Sequence, residues 1–182
     1  MINKKIIITG GPGSGKTEII NELENRGYHV KHEIVRILYN EGLKKGVNAF
    51  KEAPLDFSNK LLDYRINQFH SSSELNYNSF KPYVFFDRGI HDTFAYLNFM
   101  EKNYDYKNII FSFSYDFVFI LNPWKKIYIK DDERMESFND SKKLFNYIKL
   151  IYKEAKIKTK IILNDSVRNR VDYIINYLNH IQ

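Results

Sequence analysis

The eight consecutive residues from Gly10 to Thr17 have the side chains and spacing to bind a polyphosphate. They follow the apolar run Ile6-Ile7-Ile8 and precede a helical pattern that begins at Glu18. Glycines allow positive φ and close approach, so backbone N–H groups and the positive end of the next helix can face an anion. A lysine can reach the outer phosphates, and a hydroxyl can coordinate Mg²⁺. The predicted phosphate site comprises Gly11, Pro12, Gly13, Ser14, Gly15, Lys16 and Thr17, with Thr17 also on the metal.

A strand, a glycine loop ending in Lys-Thr, and a helix follow one another here in the order typical of P-loop NTPases. The alternative is a glycine-rich turn that matches the motif by chance. The strand before it and the helix after it disfavour that alternative. ATP and Mg²⁺ are therefore the expected ligands.

Apolar runs alternate with helical patterns along the whole chain. Strands are predicted at 5–10, 28–32, 83–86, 116–121 and 160–163. This alternation requires crossover connections, which produce a mainly parallel sheet between helices. The sequence thus predicts an α/β, three-layer P-loop NTPase fold with about five parallel strands, in one domain spanning 1–182. The charged segment 124–138 has no clear period and is predicted to be a lid, followed by a helix capped by Asp140 or Ser141.

Ligands of parallel sheets bind beyond the carboxyl ends of the strands, so the residues that follow each strand matter most. Asp87 ends the third predicted strand and could hold Mg²⁺ or take the proton of an attacking hydroxyl. Its alternative is an N-cap for the helix predicted from Ile90. Arg88 could neutralise a transferring phosphoryl group or simply pair with Asp87. His91 and Asp92 read as ordinary residues of a first helical turn.

A second group of polar residues is predicted on the acceptor side. Glu33, at the end of the second strand, could bind an acceptor hydroxyl or serve as the base; otherwise it complements a helix dipole. Arg36 shares its helix face. Arg65 and Gln68 share another face and suit a polar planar ligand or a phosphate. Each of these side chains could instead be an ordinary solvated one.

The lid contains the remaining candidates. Arg134 is predicted to reach the phosphates when the lid closes, which would exclude water and favour transfer over hydrolysis. The alternative is a surface ion pair with Asp131 or Asp132. Trp124 could anchor the core or stack on adenine, and its size favours the core.

Composition narrows the function further. The chain has no cysteine, which excludes disulfides and thiolate metal sites. No apolar stretch is long enough for a membrane span or a signal peptide, so a cytosolic protein is expected. The net charge of +6 invites a nucleic-acid interpretation, but the lysines are dispersed and no recognition motif accompanies them.

Four segments resemble a known family when they are read together: 8–17, 27–33, 86–92 and 124–134. They resemble the small AAA-type NTPase domains that are related to the ribosylnicotinamide kinase domain of a bacterial NAD regulator. The resemblance covers nearly the whole chain and implies a nucleoside- or nucleotide-kinase-like fold with a lid. By this comparison Asp87 and Glu33 match acceptor-side carboxylates, Arg88 a phosphate-binding arginine and Arg134 a lid arginine.

Two functions follow as hypotheses. The first is an ATP-dependent phosphotransferase that moves the γ-phosphate to a small nucleoside-like or nucleotide-like acceptor. The second is a regulatory NTPase or switch without an acceptor. The cluster of Glu33, Arg36, Arg65 and Gln68 favours the first, because a switch does not need it. No Asn-Lys-x-Asp motif is present, which disfavours a guanine-type switch.

Overall fold

The computed structural model describes residues 3–35, 38, 54–76, 80–102, 104–129 and 136–181. Five strands form one sheet in the order β2-β3-β1-β4-β5, and every neighbouring pair is parallel. Their bounds are β1 Lys4–Gly10, β2 His29–Lys31, β3 Tyr83–Asp87, β4 Phe117–Leu121 and β5 Thr159–Ile162. The five-stranded parallel sheet predicted from the sequence is confirmed.

Strand β1 is the centre of the sheet, between β3 and β4. In this register Ile8 lies opposite Asp87, and Gly10 lies opposite Leu121. The strand order changes direction at β1, and crevices that accept ligands form at such points. The register therefore places the start of the glycine loop and the end of β3 at the same edge of the sheet.

Helices cover both faces of the sheet. Their bounds are α1 Lys16–Asn25, α2 Pro54–Ser71, α3 Ile90–Phe99, α4 Lys107–Ser112, α5 Phe138–Glu154 and α6 Val167–His180. A short 3₁₀ turn at Ser72–Glu74 comes after α2, and another at Lys125–Ile127 comes after β4. Val35 and Leu38 are helical as well. No helix in the described ranges is both long and apolar enough to cross a membrane.

Alternate strand residues enter two separate hydrophobic cores. On one face, Ile6, Ile8 and Phe85 pack with residues of α1 and α6. On the other, Ile7 and Phe86 pack with residues of α3 and α5. Successive side chains of a strand point to opposite faces of the sheet, and here both faces are buried. A parallel sheet covered by helices on both sides requires this pattern. The molecule therefore has the three layers that the sequence predicts.

Helix α5 begins earlier than predicted. Its N-cap is Ser137, whose hydroxyl accepts from the backbone N–H of Asp140, while the Asp140 carboxylate accepts from the N–H of Ser137 at 2.9 Å. Asp140 is thus the reciprocal partner in a capping box, and Ser141 lies inside the helix. The predicted cap at Asp140 or Ser141 was wrong. Ser137 and Asp140 are the two polar residues of the capping box, and only Ser137 is the N-cap. Of the predicted lid, Lys125–Ile127 form a 3₁₀ turn, and Arg134 lies outside the described residues.

Candidate functional site

The glycine loop turns from β1 into α1 through two residues with positive φ. Gly13 has φ 70° and Gly15 has φ 84°, a region in which only glycine is unstrained. Gly15 is the N-cap residue of α1, so Lys16 and Thr17 occupy the first helical positions. The unpaired N–H groups of a helix start attract anions. The backbone of the loop is therefore arranged as the sequence predicts.

Lys16 is buried beneath the loop. Its Nζ donates to the carbonyl oxygens of Gly10 at 3.0 Å and Gly11 at 2.9 Å. Burial, together with the positive charge of Arg88, lowers the pKa of Lys16 to about 7. A polyphosphate would offset both causes, because it brings negative charge to a desolvated ammonium. Lys16 is therefore poised to gain charge stabilisation when an anion enters.

Asp87 is the least compensated polar group of the site. It is 5% exposed, and its Oδ1 has no hydrogen-bond partner among the residues that the structure describes. Burial raises the pKa of Asp87 to about 6, with the charge of Glu33 as the next cause. The N-cap alternative does not hold, since α3 is capped by Gly89. A buried carboxylate without a partner needs a functional explanation.

These residues fit a magnesium ion. Asp87 offers an unpaired carboxylate oxygen, and the exposed Thr17 contributes to the same cavity wall. In the described residues no group of three His, Asp or Glu side chains could hold a metal by itself. So few protein ligands suit Mg²⁺, which fills the rest of its coordination sphere with phosphate oxygens and water. Thr17 and Asp87 are the residues that would hold it.

Arg88 adopts an unusual backbone conformation. Its φ of 70° is rare for a residue with a side chain and is often found at functional sites. Its Nε lies 2.5 Å from Oε2 of Glu33, and its Nη1 donates to the carbonyl of Gly10 at 3.2 Å. Its guanidinium also lies over the ring of Tyr96, 5.6 Å from the centroid. Arg88 therefore pairs with Glu33 and not with Asp87, the structural alternative raised from the sequence, and it links the phosphate loop to the acceptor cluster.

Glu33 and Arg65 are brought together as predicted. Oε1 of Glu33 lies 3.3 Å from Nη2 of Arg65 and accepts from the N–H groups of Ile34 and Val35. Arg65 is 3% exposed, and its Nη1 donates to Thr93 at 2.8 Å. The Glu33 carboxylate thus pairs with two buried arginines, and Oδ1 of Asp92 lies 3.8 Å from Nη1 of Arg88 as well.

The structure bears differently on the other two predicted acceptor residues, Gln68 and Arg36. Gln68 donates to the carbonyl of His32 at 2.9 Å, and the described cavity lining does not include it. Arg36 lies outside the described residues. Their roles in substrate binding remain predictions.

His91 and Asp92 lie in the first turn of α3, as the sequence predicts, and Asp92 is the N3 residue of that helix. Both are fully buried. The Asp92 carboxylate accepts from the hydroxyls of Thr9 and Tyr152 and from the N–H of Gly89. His91 donates through Nε2 to the carbonyl of Ile110 at 3.0 Å. Asp92 therefore joins β1, the turn after β3 and α5 beneath the site.

A cavity of about 900 Å³ joins the phosphate loop to the cluster of Glu33, Arg65 and Arg88. Gly13, Gly15, Lys16 and Thr17 line it with Trp124, Ser166 and Arg170, which defines the donor half. Glu33, Val35, Phe57, Leu61, Arg65, Thr93 and Tyr96 line it as well, which defines the acceptor half. Asp87 and Arg88 also contribute to the wall. The volume is large enough for two small ligands side by side.

Comparison with known proteins agrees with this geometry. A family model described as an AAA domain matches residues 5–170. The chain belongs to this AAA domain family. Deoxyadenosine kinase from M. mycoides with bound dATP is similar over 96% of this chain and 99% of that chain, at 21% identity and a TM-score of 0.68. NadR protein in complex with NR is similar over 98% of this chain and 50% of that chain, at 14% identity and a TM-score of 0.72.

The family match confirms the resemblance seen in the sequence, and the two structures confirm the P-loop NTPase fold. A further structure of the M. mycoides enzyme, with bound dCTP, has a TM-score of 0.61 at 20% identity and covers 97% of this chain and 99% of that chain. The comparison with curated proteins finds no match.

Sequence reasoning missed two residues of this AAA domain and left a third open. For Trp124 a core position was favoured over adenine stacking; its side chain is half-buried and lines the cavity, and its ring centroid lies 5.5 Å from the guanidinium carbon of Arg170. Arg170 and Tyr96 were not singled out. A signal for Arg170 does exist: it is a cation on the apolar face of α6, beside Val171 and one turn before Ile174. Nothing comparable in the sequence marks Tyr96.

Proposed function

We propose that this AAA domain is an ATP-dependent phosphotransferase that moves the γ-phosphate of ATP to a small nucleoside-like acceptor. The observation that carries the proposal is the shared cavity, which contains both the phosphate loop and the cluster of Glu33, Arg65 and Arg88. A regulatory NTPase needs the first part and has no use for the second. Arrangements of this kind position two reactants, which is the main task in phosphoryl transfer.

The donor half would hold the triphosphate. The N–H groups at the start of α1 and the ammonium of Lys16 face anionic oxygens, and the carbonyls that now accept from Lys16 would release it. Thr17 and Asp87 would hold Mg²⁺, which when bound supplies further neutralisation of phosphate charge. Arg134 is proposed to complete this half from the lid.

The acceptor half favours an uncharged ligand. Arg65 and Arg88 are already paired with Glu33, so little free positive charge remains for the phosphate of a nucleotide. The apolar and aromatic surfaces of Val35, Phe57 and Tyr96 suit a planar base. Support comes from the similar structures, one of which is a deoxyadenosine kinase.

The proposed reaction has a simple balance. An acceptor hydroxyl oxygen forms a bond to the γ-phosphorus while the bond from that phosphorus to the β-phosphate oxygen breaks. The hydroxyl proton passes to a carboxylate, with Glu33 as the proposed base and Asp87 as the group that orients the reactants. Arg88 contacts both Glu33 and the loop carbonyl of Gly10, so it is placed to stabilise negative charge on the phosphoryl group.

The test is ADP formation from ATP and Mg²⁺ with a panel of nucleosides and nucleoside monophosphates. We expect turnover to depend on one class of nucleoside. Glu33→Gln should reduce kcat/KM for that acceptor by about a hundredfold or more, as removal of a positioned base or acceptor contact does. Glu24→Gln is the matched control, because Glu24 is exposed and, among the residues that the structure describes, pairs with His32 alone at 3.1 Å. Slow turnover that no acceptor changes would contradict the proposal and favour the regulatory NTPase.

A further inference from the structure

Two buried side chains hold the outer side of the phosphate loop. Nη1 of Arg170, from α6, donates to the carbonyl of Ser14 at 3.0 Å. The hydroxyl of Ser141, from α5, donates to the carbonyl of Pro12 at 2.9 Å. Arg170 is 4% exposed and Ser141 is 1% exposed. The loop is thus attached to two different helices through carbonyls two residues apart.

These contacts fix the direction of the loop's N–H groups. In a trans peptide the C=O and the following N–H point to opposite sides of the chain, and the described backbone contains no cis peptide. The carbonyls of Pro12 and Ser14 face α5 and α6, so the N–H groups of Gly13 and Gly15 face away from these helices. Both glycines line the cavity. The carbonyl contacts therefore help to present the N–H groups to the donor phosphates.

The burial of Arg170 also needs an explanation. A buried guanidinium is costly unless it is paired, yet its Nε has no hydrogen-bond partner in the described part of the chain. The guanidinium carbon of Arg170 lies 5.5 Å from the ring centroid of Trp124, and a Cβ added to Gly15 would lie 3.0 Å from Nη2. A residue held this closely against the loop, at the expense of solvation, has a role beyond filling space.

We propose that Arg170 and Ser141 are positioning residues that clamp the phosphate loop in its anion-binding conformation. The proposal rests on the donor half of the proposed function. The clamp acts on donor affinity and leaves the acceptor cluster of Glu33 and Arg65 untouched. The clamp orders the loop when the protein folds, so the entropic cost of ordering is met before binding. The loop therefore loses less conformational freedom when the nucleotide binds.

The experiment is a calorimetric titration of the full chain with MgATP. We expect Arg170→Met to weaken binding by about tenfold or more, since a hydrogen bond from a charged donor is lost. Arg168→Met is the matched control: it removes the same charge from the same helix, but Arg168 is 85% exposed and pairs weakly with Asp172. The KM for the acceptor should stay within about twofold of wild type in both variants.

If Arg170→Met does not fold, two milder variants test the proposal in its place. Ser141→Ala should weaken MgATP binding by about threefold, and Arg170→Lys should lie between wild type and Arg170→Met. If the folded variants of Arg170 and Ser141 bind MgATP as tightly as Arg168→Met does, the clamp proposal is wrong, while the proposed function is unaffected. Absence of MgATP binding by the wild type would overturn the proposed function and the clamp together.

Discussion

At the scale of single residues, the site concentrates buried charge that the protein does not fully neutralise. Asp87 has an unpaired oxygen and a raised pKa, while Lys16 has a lowered one. Both shifts have burial as their largest cause, so both report groups whose ionised forms are disfavoured in the folded state. Such groups reduce stability and become useful when a ligand supplies the missing partner.

Asp87→Asn should abolish phosphoryl transfer and stabilise the protein. The raised pKa means that between about pH 4 and pH 6 the folded state binds a proton more tightly than the unfolded state, so the wild type loses stability as pH rises through that window. Asparagine removes this cost, on the order of 3 kcal/mol at pH 8. Urea unfolding at pH 4 and pH 8 measures it.

The control for this prediction is Asp63→Asn, an exposed position on α2. Its effect on the free energy of unfolding should be small at both pH values. A stability difference for Asp87→Asn that is the same at pH 4 and pH 8 would show that burial of the charge is not its cause. Transfer at the wild-type rate would remove Asp87 from the mechanism.

At the scale of elements, the site depends on helices that approach the loop closely. Gly11 has no space for a side chain, since an added Cβ would lie 2.6 Å from the backbone oxygen of Ser141 in α5. Gly89 also faces a close neighbour, but that neighbour is the tip of the Ile7 side chain. A side-chain tip can move at lower cost than the backbone of a helix.

We therefore expect Gly11→Ala to destabilise the protein by about 1–3 kcal/mol and to weaken MgATP binding. Gly89→Ala should cost less, because its close neighbours, the end of Ile7 and the hydroxyl of Tyr152, are side-chain atoms rather than helix backbone. Denaturant unfolding of the two variants provides the comparison. In a Ser141→Ala background Gly11→Ala should remain costly, since the backbone oxygen stays in place. The reverse order of cost would contradict this view of how α5 meets the loop.

At the scale of the whole molecule, the sequence predicted the helices and strands better than it predicted which of them, and which side chains, lie next to one another. The buried strands β1, β3 and β4 were predicted because their apolar runs are continuous, and Glu33 and Asp87 followed from strand-end positions. The sheet order and the Arg88 to Glu33 pair depend on long-range packing, which leaves no local pattern. Arg170, Ser141 and Tyr96 belong to the site only because three helices converge on it. The cap of α5 was misplaced because Ser137, Asp140 and Ser141 are all plausible caps.

One measurement tests the central claim, that donor and acceptor share this cavity. The full chain is incubated with Mg²⁺, with ATP that carries an isotopic label in its γ-phosphate, and with the acceptor class selected by the nucleoside panel. Mass spectrometry then follows the label. We predict that the label appears in a phosphorylated nucleoside in amounts equal to the ADP formed. Label found only in inorganic phosphate, with or without acceptor, would contradict the account.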